Sequence, residues 1–432
     1  MGSFSPTFST LPAGVKVQPS PFRIDVSDSD LSQFRSLIQQ AIIPPEQFYN
    51  QHANAATGKF GITRDWLIQA RDYWLNTYDW RAQESFINSF PQYKQTVVGP
   101  TSGQTFDLHF AALFSLREDA IPIIFMHGWP GSFLEFIPML NILRSRYTPE
   151  TLPYHVIVPS IPDYGFSSRP NDSALQELTM EYAAEAMNEL MLSLGFGSTG
   201  YVAQGGDVGY ALARAMANNH AACKTSHLNM FMFTPDQFAA CREEPLTERE
   251  EKLLTGTNAW IKQGSAYAYE HGTRPSTIAL TLCSNPVAML AWMGEKFIEW
   301  SDNREDGGSQ PLSLDKILDG VSLYWFSGCF PRTMWSYRSL VPAIGATAVV
   351  QESSSVQKPF GYSAFPVEIG TLPRTWGKKL FGERLAYYKE HEVGGHFAAL
   401  QEPENFLDDV EEFVRFIAPK VGLVGKGKNG CA

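Results

Sequence analysis

The pattern of hydrophobic and polar residues divides the chain of 432 residues into four successive stretches. Between residues 26 and 95, apolar residues recur at helical spacing, as from Asp30 to Ile42 and from Ile62 to Tyr78. From Val97 to about Cys223, short apolar runs alternate with stretches of helical spacing. Strands that alternate with helices predict a mostly parallel sheet, here preceded by a helical segment.

Three of the apolar runs predict buried strands of this sheet. The runs are Ile121 to Met126, Val156 to Val158 and Tyr201 to Gln204. In parallel sheets the functional residues collect beyond the carboxyl ends of the strands. The loops that begin at His127, Pro159 and Gly205 are therefore where chemistry is expected.

Helical patterns replace the strand pattern between Phe231 and Pro342, and two more strands are predicted at Phe360 to Phe365 and Leu385 to Tyr388. A final amphipathic helix closes the chain. A sheet that is interrupted by helices and then resumed predicts a core with an inserted helical cap. We therefore expect four segments: an N-terminal helical meander at 1–95, the first part of an α/β core at 96–230, a helical cap at 231–345 and the second part of the core at 346–432.

The composition and charge of the chain predict a globular protein that binds a small molecule. Hydrophobic residues make up 44% of the chain and charged residues 18%, which favours a well-packed globular body. The formal net charge of −11 gives no electrostatic reason to expect nucleic acid or an anionic membrane as a partner, so a small molecule is expected. The five cysteines form no C-x-x-C pair, and the N-terminus has no signal-peptide pattern, which together predict reduced thiols in a soluble cytoplasmic protein.

The segment Gly205-Gly206-Asp207-Val208-Gly209 lies between a predicted strand and a predicted helix. Its small-x-nucleophile-x-small spacing is that of a nucleophile elbow, a turn so tight that the nucleophile is strained and its neighbours must be small. A carboxylate there is ionised at neutral pH, is favoured by the helix N-terminus and would form an alkyl ester. Taken alone, the motif is equally compatible with an aspartate that caps a helix after a glycine-rich turn.

A second motif, His127-Gly128-Trp129-Pro130-Gly131-Ser132, follows a buried strand directly. Its position matches the loop that donates one amide of an oxyanion hole, here from Trp129, with the second amide expected from Val208. We expect His127 to shape this loop, and we consider a cis bond before Pro130. By itself the motif is also compatible with an ordinary glycine-proline turn.

The best candidate for a general base is His396 in Val393-Gly394-Gly395-His396-Phe397, because the glycines let the backbone push the imidazole into a cleft. It follows the last predicted strand, and therefore the nucleophile, as this chain order requires. Glu368 is selected by elimination as the carboxylate that orients His396. It lies in the loop after the strand that ends at Phe365, and no other carboxylate occurs between Glu352 and Glu383.

Four motifs together resemble the microsomal and fungal epoxide hydrolases of the α/β-hydrolase superfamily. They are GGDVG, HGWPGS, the run PSIPDYGFSS at Pro159 to Ser168, and GGHFAAL at Gly394 to Leu400. The similarity spans most of the chain from about residue 20, and it implies an α/β-hydrolase fold with a mostly parallel central sheet, a helical cap and an N-terminal helical meander. One departure is Asp163, where the family usually has glycine, although aspartate tolerates left-handed backbone angles better than most residues.

The resemblance also implies a chemistry. In that family two cap tyrosines donate hydrogen bonds to the epoxide oxygen, and the matching positions are Tyr267 and Tyr324. Without the resemblance, Tyr324 is interpreted equally well as a core aromatic on a helical stripe. Asp207 would attack the epoxide to form an ester, and water activated by the pair of His396 and Glu368 would hydrolyse that ester to release a vicinal diol.

The expected partners are an epoxide and water, with no metal, organic cofactor, nucleic acid or membrane, and the resemblance makes a homodimer the expected assembly. A haloalkane dehalogenase is the nearest alternative, but such enzymes usually have Trp after the nucleophile, where this chain has Val208. An esterase would have Ser in the elbow, and a non-catalytic binding protein of this fold would have little reason to keep all three groups together. The particular epoxide, the enantioselectivity and the choice between detoxification and biosynthesis are not readable from the sequence.

Overall fold

The computed structural model describes residues 7–338 and 356–423. Within these ranges a nine-stranded sheet forms the centre of the molecule and helices flank it. The expected boundary between cap and core at 345/346, most of the glycine- and lysine-rich tail and the first six residues lie outside the described ranges.

The sheet is mostly parallel, as the alternating pattern predicts. Its strands are Ser20–Pro21 (β1), Gln92–Val98 (β2), Thr105–Leu113 (β3), Ile121–Met126 (β4), Tyr154–Pro159 (β5), Tyr201–Gly205 (β6), Cys223–Leu228 (β7), Phe360–Ala364 (β8) and Leu385–Glu390 (β9). Their spatial order is β1-β2-β3-β5-β4-β6-β7-β8-β9. The pairs from β5 through β9 are parallel, whereas β1, β2 and β3 are joined to one another and to β5 by antiparallel pairs.

Several helices begin at a polar residue whose side chain caps them. Ser27, Thr63 and Thr247, for example, each accept a hydrogen bond from a backbone N–H in the first turn of the helix that follows. The α-helices of the described residues are Asp28–Gln39 (α1), Phe48–Gln51 (α2), Arg64–Asn76 (α3), Trp80–Ile87 (α4), Ile137–Arg146 (α5), Met180–Ser193 (α6), Asp207–Asn219 (α7), Pro235–Cys241 (α8), Glu248–Ala259 (α9), Ala266–Thr273 (α10), Pro275–Leu282 (α11), Pro286–Glu299 (α12), Leu314–Ser327 (α13), Arg374–Phe381 (α14), Ala398–Gln401 (α15) and Pro403–Ile417 (α16). Helices α8 to α13 and the segment up to residue 338 lie between β7 and β8 in the chain, and we call this region the cap.

The predicted strands β4, β5, β6, β8 and β9 are confirmed, but β1, β2, β3 and β7 were not predicted. Strand β2 lies in part where helices and loops were expected, and it buries the polar side chains of Gln92 and Gln95. Strand β7 lies inside the sheet although Thr225, Ser226 and His227 are all buried there. Polar residues at buried positions conceal the apolar run by which a central strand is recognised.

The loop after β5 attaches the cap to the core. Asp163 adopts a left-handed φ of 67°, which aspartate tolerates, and its carboxylate forms a buried salt bridge of 2.8 Å with Arg169. From the same loop the Pro162 carbonyl accepts a hydrogen bond of 3.0 Å from the Trp335 indole, and the Tyr164 hydroxyl pairs with that of Ser336 at 3.0 Å. The residue that departs from the family pattern thus stabilises the loop that holds residues 335 and 336.

Two further features of the described residues bear on function. No single helix there is both long and apolar enough to span a membrane, and a strongly bent pair, α11 with α12, meets the length and hydropathy requirement only when the two are combined. No group of three or more His, Cys, Asp or Glu side chains in these ranges is arranged to hold a metal ion.

Candidate active site

Asp207 lies at the turn between β6 and α7, and its φ of 48° confirms the strained backbone predicted for the elbow. The flanking glycines are required by close contacts. A Cβ on Gly205 would lie 2.0 Å from the carbonyl oxygen of Gly209, and a Cβ on Gly209 would lie 2.0 Å from that of Met126. The two glycines therefore allow a tight turn directly after β6. This turn places Asp207 at the carboxyl edge of the sheet.

The loop after β4 binds one oxygen of this carboxylate. The Trp129 N–H donates a hydrogen bond of 2.8 Å to Oδ1 of Asp207, and the bond from Trp129 to Pro130 is cis. Gly128 must lack a side chain, because a Cβ there would lie 2.1 Å from the same oxygen. Among the hydrogen bonds of the described residues, none joins the Val208 amide to Asp207, so one of the two expected amides is seen in place.

His127 shapes this loop, as expected. The Ile161 N–H donates to Nε2 of His127 at 3.2 Å, so Nδ1 carries the proton and donates to the Gly128 carbonyl at 3.0 Å. Burial lowers the pKa of His127 to about 4, which keeps the ring neutral. A neutral ring with both nitrogens engaged is a structural element of the loop.

His396 and Glu368 meet beside Asp207. Nδ1 of His396 is 2.7 Å from Oε1 of Glu368, and Nε2 is 3.5 Å from Oδ2 of Asp207. The backbone before the ring needs glycine, since Gly394 has a φ of 105° and a Cβ on Gly395 would lie 2.5 Å from the Trp300 carbonyl oxygen. The structure therefore brings together the three residues that the sequence placed in different loops.

The charge of His396 depends on its neighbours. Burial alone would lower the pKa of this imidazole, but the charge of Glu368, a hydrogen bond to Asp207 and a hydrogen bond to Glu368 together raise it to about 10. At neutral pH the ring is an imidazolium ion between two carboxylates. Its protonation is thus coupled to the charge of Asp207.

Tyr267 of α10, the first predicted cap tyrosine, packs against the loop that holds Asp207. Its ring stacks on Trp129, with centroids 5.1 Å apart and an interplanar angle of 17°. Burial first, and then the charge of Asp207, raise the pKa of Tyr267 well above its usual value. The phenol therefore stays protonated and can act as a hydrogen-bond donor near Asp207.

The second predicted cap tyrosine, Tyr324, has its hydroxyl engaged inside the protein. The Tyr324 hydroxyl donates a hydrogen bond of 2.8 Å to the carbonyl oxygen of Gly131, so its donor is already used inside the protein. Tyr324 instead ties α13 to the loop that carries Trp129. It is one of the buried residues along this helix.

Tyr337, which was not predicted from the sequence, lies beside Tyr267. Its ring lies edge-on to both Tyr267 and Trp129, with centroids 5.6 Å and 5.8 Å away, and its buried hydroxyl lies next to the Tyr267 hydroxyl. Burial raises the pKa of Tyr337 well above its usual value, and the negative charge of Asp207 adds to that shift. Tyr337 follows a short 3-10 helix, Phe330–Met334, and no spacing or motif in the sequence distinguishes it from other aromatic residues of the cap.

Comparisons with known proteins show what the whole chain is similar to. Residues 19–136 match the family model described as "Epoxide hydrolase N terminus", and residues 121–237 match that of the alpha/beta hydrolase fold. A putative epoxide hydrolase of Dothistroma septosporum is 42% identical over 407 residues, which cover 94% of this chain and 92% of that protein. Epoxide hydrolase 1 of Sus scrofa is 31% identical over 421 residues, covering 91% and 88% of the two chains.

A solved structure is also similar. The structure of Aspergillus niger epoxide hydrolase matches with a TM-score of 0.84 and 40% sequence identity, and the match covers 95% of this chain and 99% of that one. The likeness therefore extends over the sheet, the flanking helices and the cap.

Proposed function

The chain belongs to the epoxide hydrolase family, and we propose that it opens an epoxide through an ester on Asp207 and releases a vicinal diol. The observation that carries this proposal is the setting of the Asp207 carboxylate. Oδ1 is bound by the Trp129 amide at 2.8 Å, while Oδ2 lies 3.5 Å from Nε2 of His396. One oxygen is thus held in place and the other is available to attack.

In the first half-reaction, Asp207 forms a bond to an epoxide carbon while the bond from that carbon to the ring oxygen breaks. We assign the two proton donors for that oxygen to Tyr267 and Tyr337, because the hydroxyl of Tyr324 is taken by Gly131. One tyrosine gives its proton to the oxygen and regains a proton that His396 releases. The negative charge of Asp207 raises the pKa of His396, and forming the ester removes that charge. The pKa of His396 therefore falls, which makes release of its proton favourable.

In the second half-reaction, neutral His396 accepts a proton from water as the water oxygen attacks the ester carbonyl carbon. The oxyanion that develops lies where Oδ1 accepts the Trp129 amide. When the bond to the alkyl group breaks, the leaving oxygen takes the proton from His396 and the diol is complete. The new carboxylic acid then gives its proton to His396, which restores the starting ion pair.

The rival reactions fit the site less well. A serine esterase needs a hydroxyl at the elbow, where this chain has the carboxylate of Asp207. A dehalogenase needs a donor for a halide ion, and Val208 supplies no side-chain donor after the nucleophile. Two buried phenols near Asp207 suit an oxygen leaving group, which must be protonated.

Intact mass after mixing with a panel of epoxides tests the proposal. In a His396→Gln variant the ester should persist and add the mass of the epoxide to the protein, and proteolysis should place the adduct on Asp207. The control is Asp207→Asn, which should show no adduct. An unmodified His396→Gln protein together with a wild type that forms no diol from any epoxide contradicts the proposal.

The proposal includes a cytoplasmic protein whose partners are an epoxide and water, and which assembles as a homodimer. The net charge of −11 supports the exclusion of nucleic acid and of anionic membranes. Light scattering coupled to size-exclusion chromatography tests the assembly, because a mass near that of one chain contradicts the dimer.

A further inference from the structure

A small cavity adjoins the Asp207 carboxylate. Its volume is about 20 Å³, and its polar lining includes the side chains of Asp207, His396, Glu135 and Asn229. Among the described residues that line it, none is a tyrosine of the cap. A polar cavity of this size accommodates one water molecule. We call it the water cavity.

Glu135 has no part in the half-reactions above, yet the fold holds it at this cavity. It belongs to the short 3-10 helix Phe133–Phe136, which follows the Trp129 loop directly. Gly131 makes room for its carboxyl group, since a Cβ on Gly131 would lie 1.5 Å from Oε1 of Glu135. Because Gly131 has no side chain, the Glu135 carboxyl group can occupy the space beside it.

The electrostatics of Glu135 link it to the same two residues. Burial raises the pKa of its carboxyl group to about 8; the positive charge of His396 opposes that shift and the negative charge of Asp207 adds to it. At pH 7 the group is mostly a neutral acid. A neutral carboxyl oxygen can accept a hydrogen bond without adding a further charge beside the oxyanion.

We propose that Glu135 holds the water molecule that hydrolyses the ester on Asp207. A carboxyl oxygen of Glu135 accepts one O–H of this water, while Nε2 of His396 takes the proton of the other O–H. With both hydrogens directed away from Asp207, a lone pair of the water oxygen points at the ester carbonyl carbon. This inference rests on the proposed ester mechanism and assigns a positioning role within its second half-reaction.

The bonds balance without a further reagent. The water oxygen forms a bond to the carbonyl carbon, its proton moves to His396, and the bond to the alkyl oxygen then breaks. Glu135 neither gains nor loses a proton. An amide of the same shape should therefore replace it, whereas an apolar side chain of similar length should not.

The test compares Glu135→Met with the matched control Glu135→Gln in rapid-quench experiments that follow the ester by intact mass. We expect Glu135→Met to form the ester within about twofold of the wild-type rate and to hydrolyse it about 10²-fold more slowly, since misplacing a reacting group has an effect of that size. The kcat should fall by the same factor, and the ester should accumulate. In Glu135→Gln hydrolysis should stay within about fivefold of wild type, because the amide oxygen is still an acceptor.

A second variant keeps the test decisive if Glu135→Met does not fold. Gly131→Ala leaves Glu135 in the chain but displaces its carboxyl group, so it should also accumulate ester. If either folded variant hydrolyses the ester at the wild-type rate, or slows ester formation as much as hydrolysis, the inference is overturned. The His396→Gln variant is measured under the same conditions. If its ester persists, the proposed ester mechanism holds even though the role given to Glu135 is wrong.

Discussion

Asp207 in the core and the tyrosines in the cap are positioned by different kinds of constraint. The elbow is fixed by backbone contacts, because Gly205 and Gly209 leave no room for even a Cβ. Tyr267 and Tyr337 are fixed by ring contacts with Trp129 and with each other. Backbone constraints leave a signature in the sequence, since only glycine satisfies them. Aromatic packing leaves none, because many aromatic residues can fill a buried site.

Removing single hydroxyls from the cap tests which tyrosines protonate the epoxide oxygen. In Tyr337→Phe the ring stays in place but one donor to the epoxide oxygen is lost, so ester formation should slow by about 10²-fold. In the matched variant Tyr324→Phe the lost hydroxyl binds Gly131, so the rate should change less than about threefold while the free energy of unfolding falls by about 1 kcal/mol. Rapid-quench measurement of the ester and thermal unfolding give the two quantities.

The opposite result would assign the role of second proton donor to Tyr324, as the sequence suggested. If Tyr324→Phe slows ester formation and Tyr337→Phe does not, the assignment drawn from the structure is wrong. Tyr267→Phe serves as the internal standard, because the sequence and the structure agree on it. Its rate should fall by a factor similar to that of Tyr337→Phe.

Asp207 and His396 in the core could be predicted from the sequence because each needs glycine residues beside it in the chain. Asp207 lies between obligatory glycines, and His396 follows Gly394 with its φ of 105°. Glu368 was found only because few carboxylates compete for its loop, and its contact with His396 at 2.7 Å is a tertiary fact. The strands of the sheet were predictable wherever a short apolar run indicated a buried strand.

The rest depends on packing that no local pattern encodes. Strand β7 is central yet has a polar sequence, because the Ser363 and Pro359 oxygens provide partners for His227 and Thr225. The choice between Tyr324 and Tyr337 depends on what each hydroxyl contacts, and Tyr324 contacts Gly131, which is distant from it in the chain. Glu135 belongs to this class too, because its carboxyl group reaches the water cavity only through the space left by Gly131.

The backbone side of the comparison is tested by filling the elbow. Gly209→Ala places a Cβ 2.0 Å from the Met126 carbonyl oxygen, so α7 must shift away from β4. The free energy of unfolding should fall by about 2 kcal/mol, and the ester should no longer form because Asp207 moves with the helix. Thermal or denaturant unfolding measures the first effect and intact mass the second.

The matched control is Gly256→Ala in α9, where nothing lies within 4 Å of the added Cβ. Alanine is the better helix former, so this variant should be more stable by about 0.5 kcal/mol and fully active. Equal destabilisation of both variants would mean that the elbow glycines are not specifically required.

The smallest expected effect lies where core and cap meet. Asp163→Asn keeps a residue that tolerates the left-handed φ of 67° but removes the charge that pairs with buried Arg169. Because Arg169 also donates to the carbonyls of Ser173 and Gln176, the free energy of unfolding should fall by only about 1.5 kcal/mol. The loop should loosen its hold on Trp335 and Ser336, so ester formation, which depends on the adjacent Tyr337, should slow about twofold while hydrolysis stays unchanged.

Asp119→Asn is the control for the loss of a charge alone, since its ion pair with Arg117 is partly exposed and should contribute less than about 0.5 kcal/mol. If Asp163→Asn were no more destabilising than Asp119→Asn, the cap would be held by aromatic packing without help from the loop. If instead it slowed hydrolysis as well, the loop would act on the core half of the site. A selective effect on ester formation is the result that separates the two halves, because only the first half-reaction uses the tyrosines.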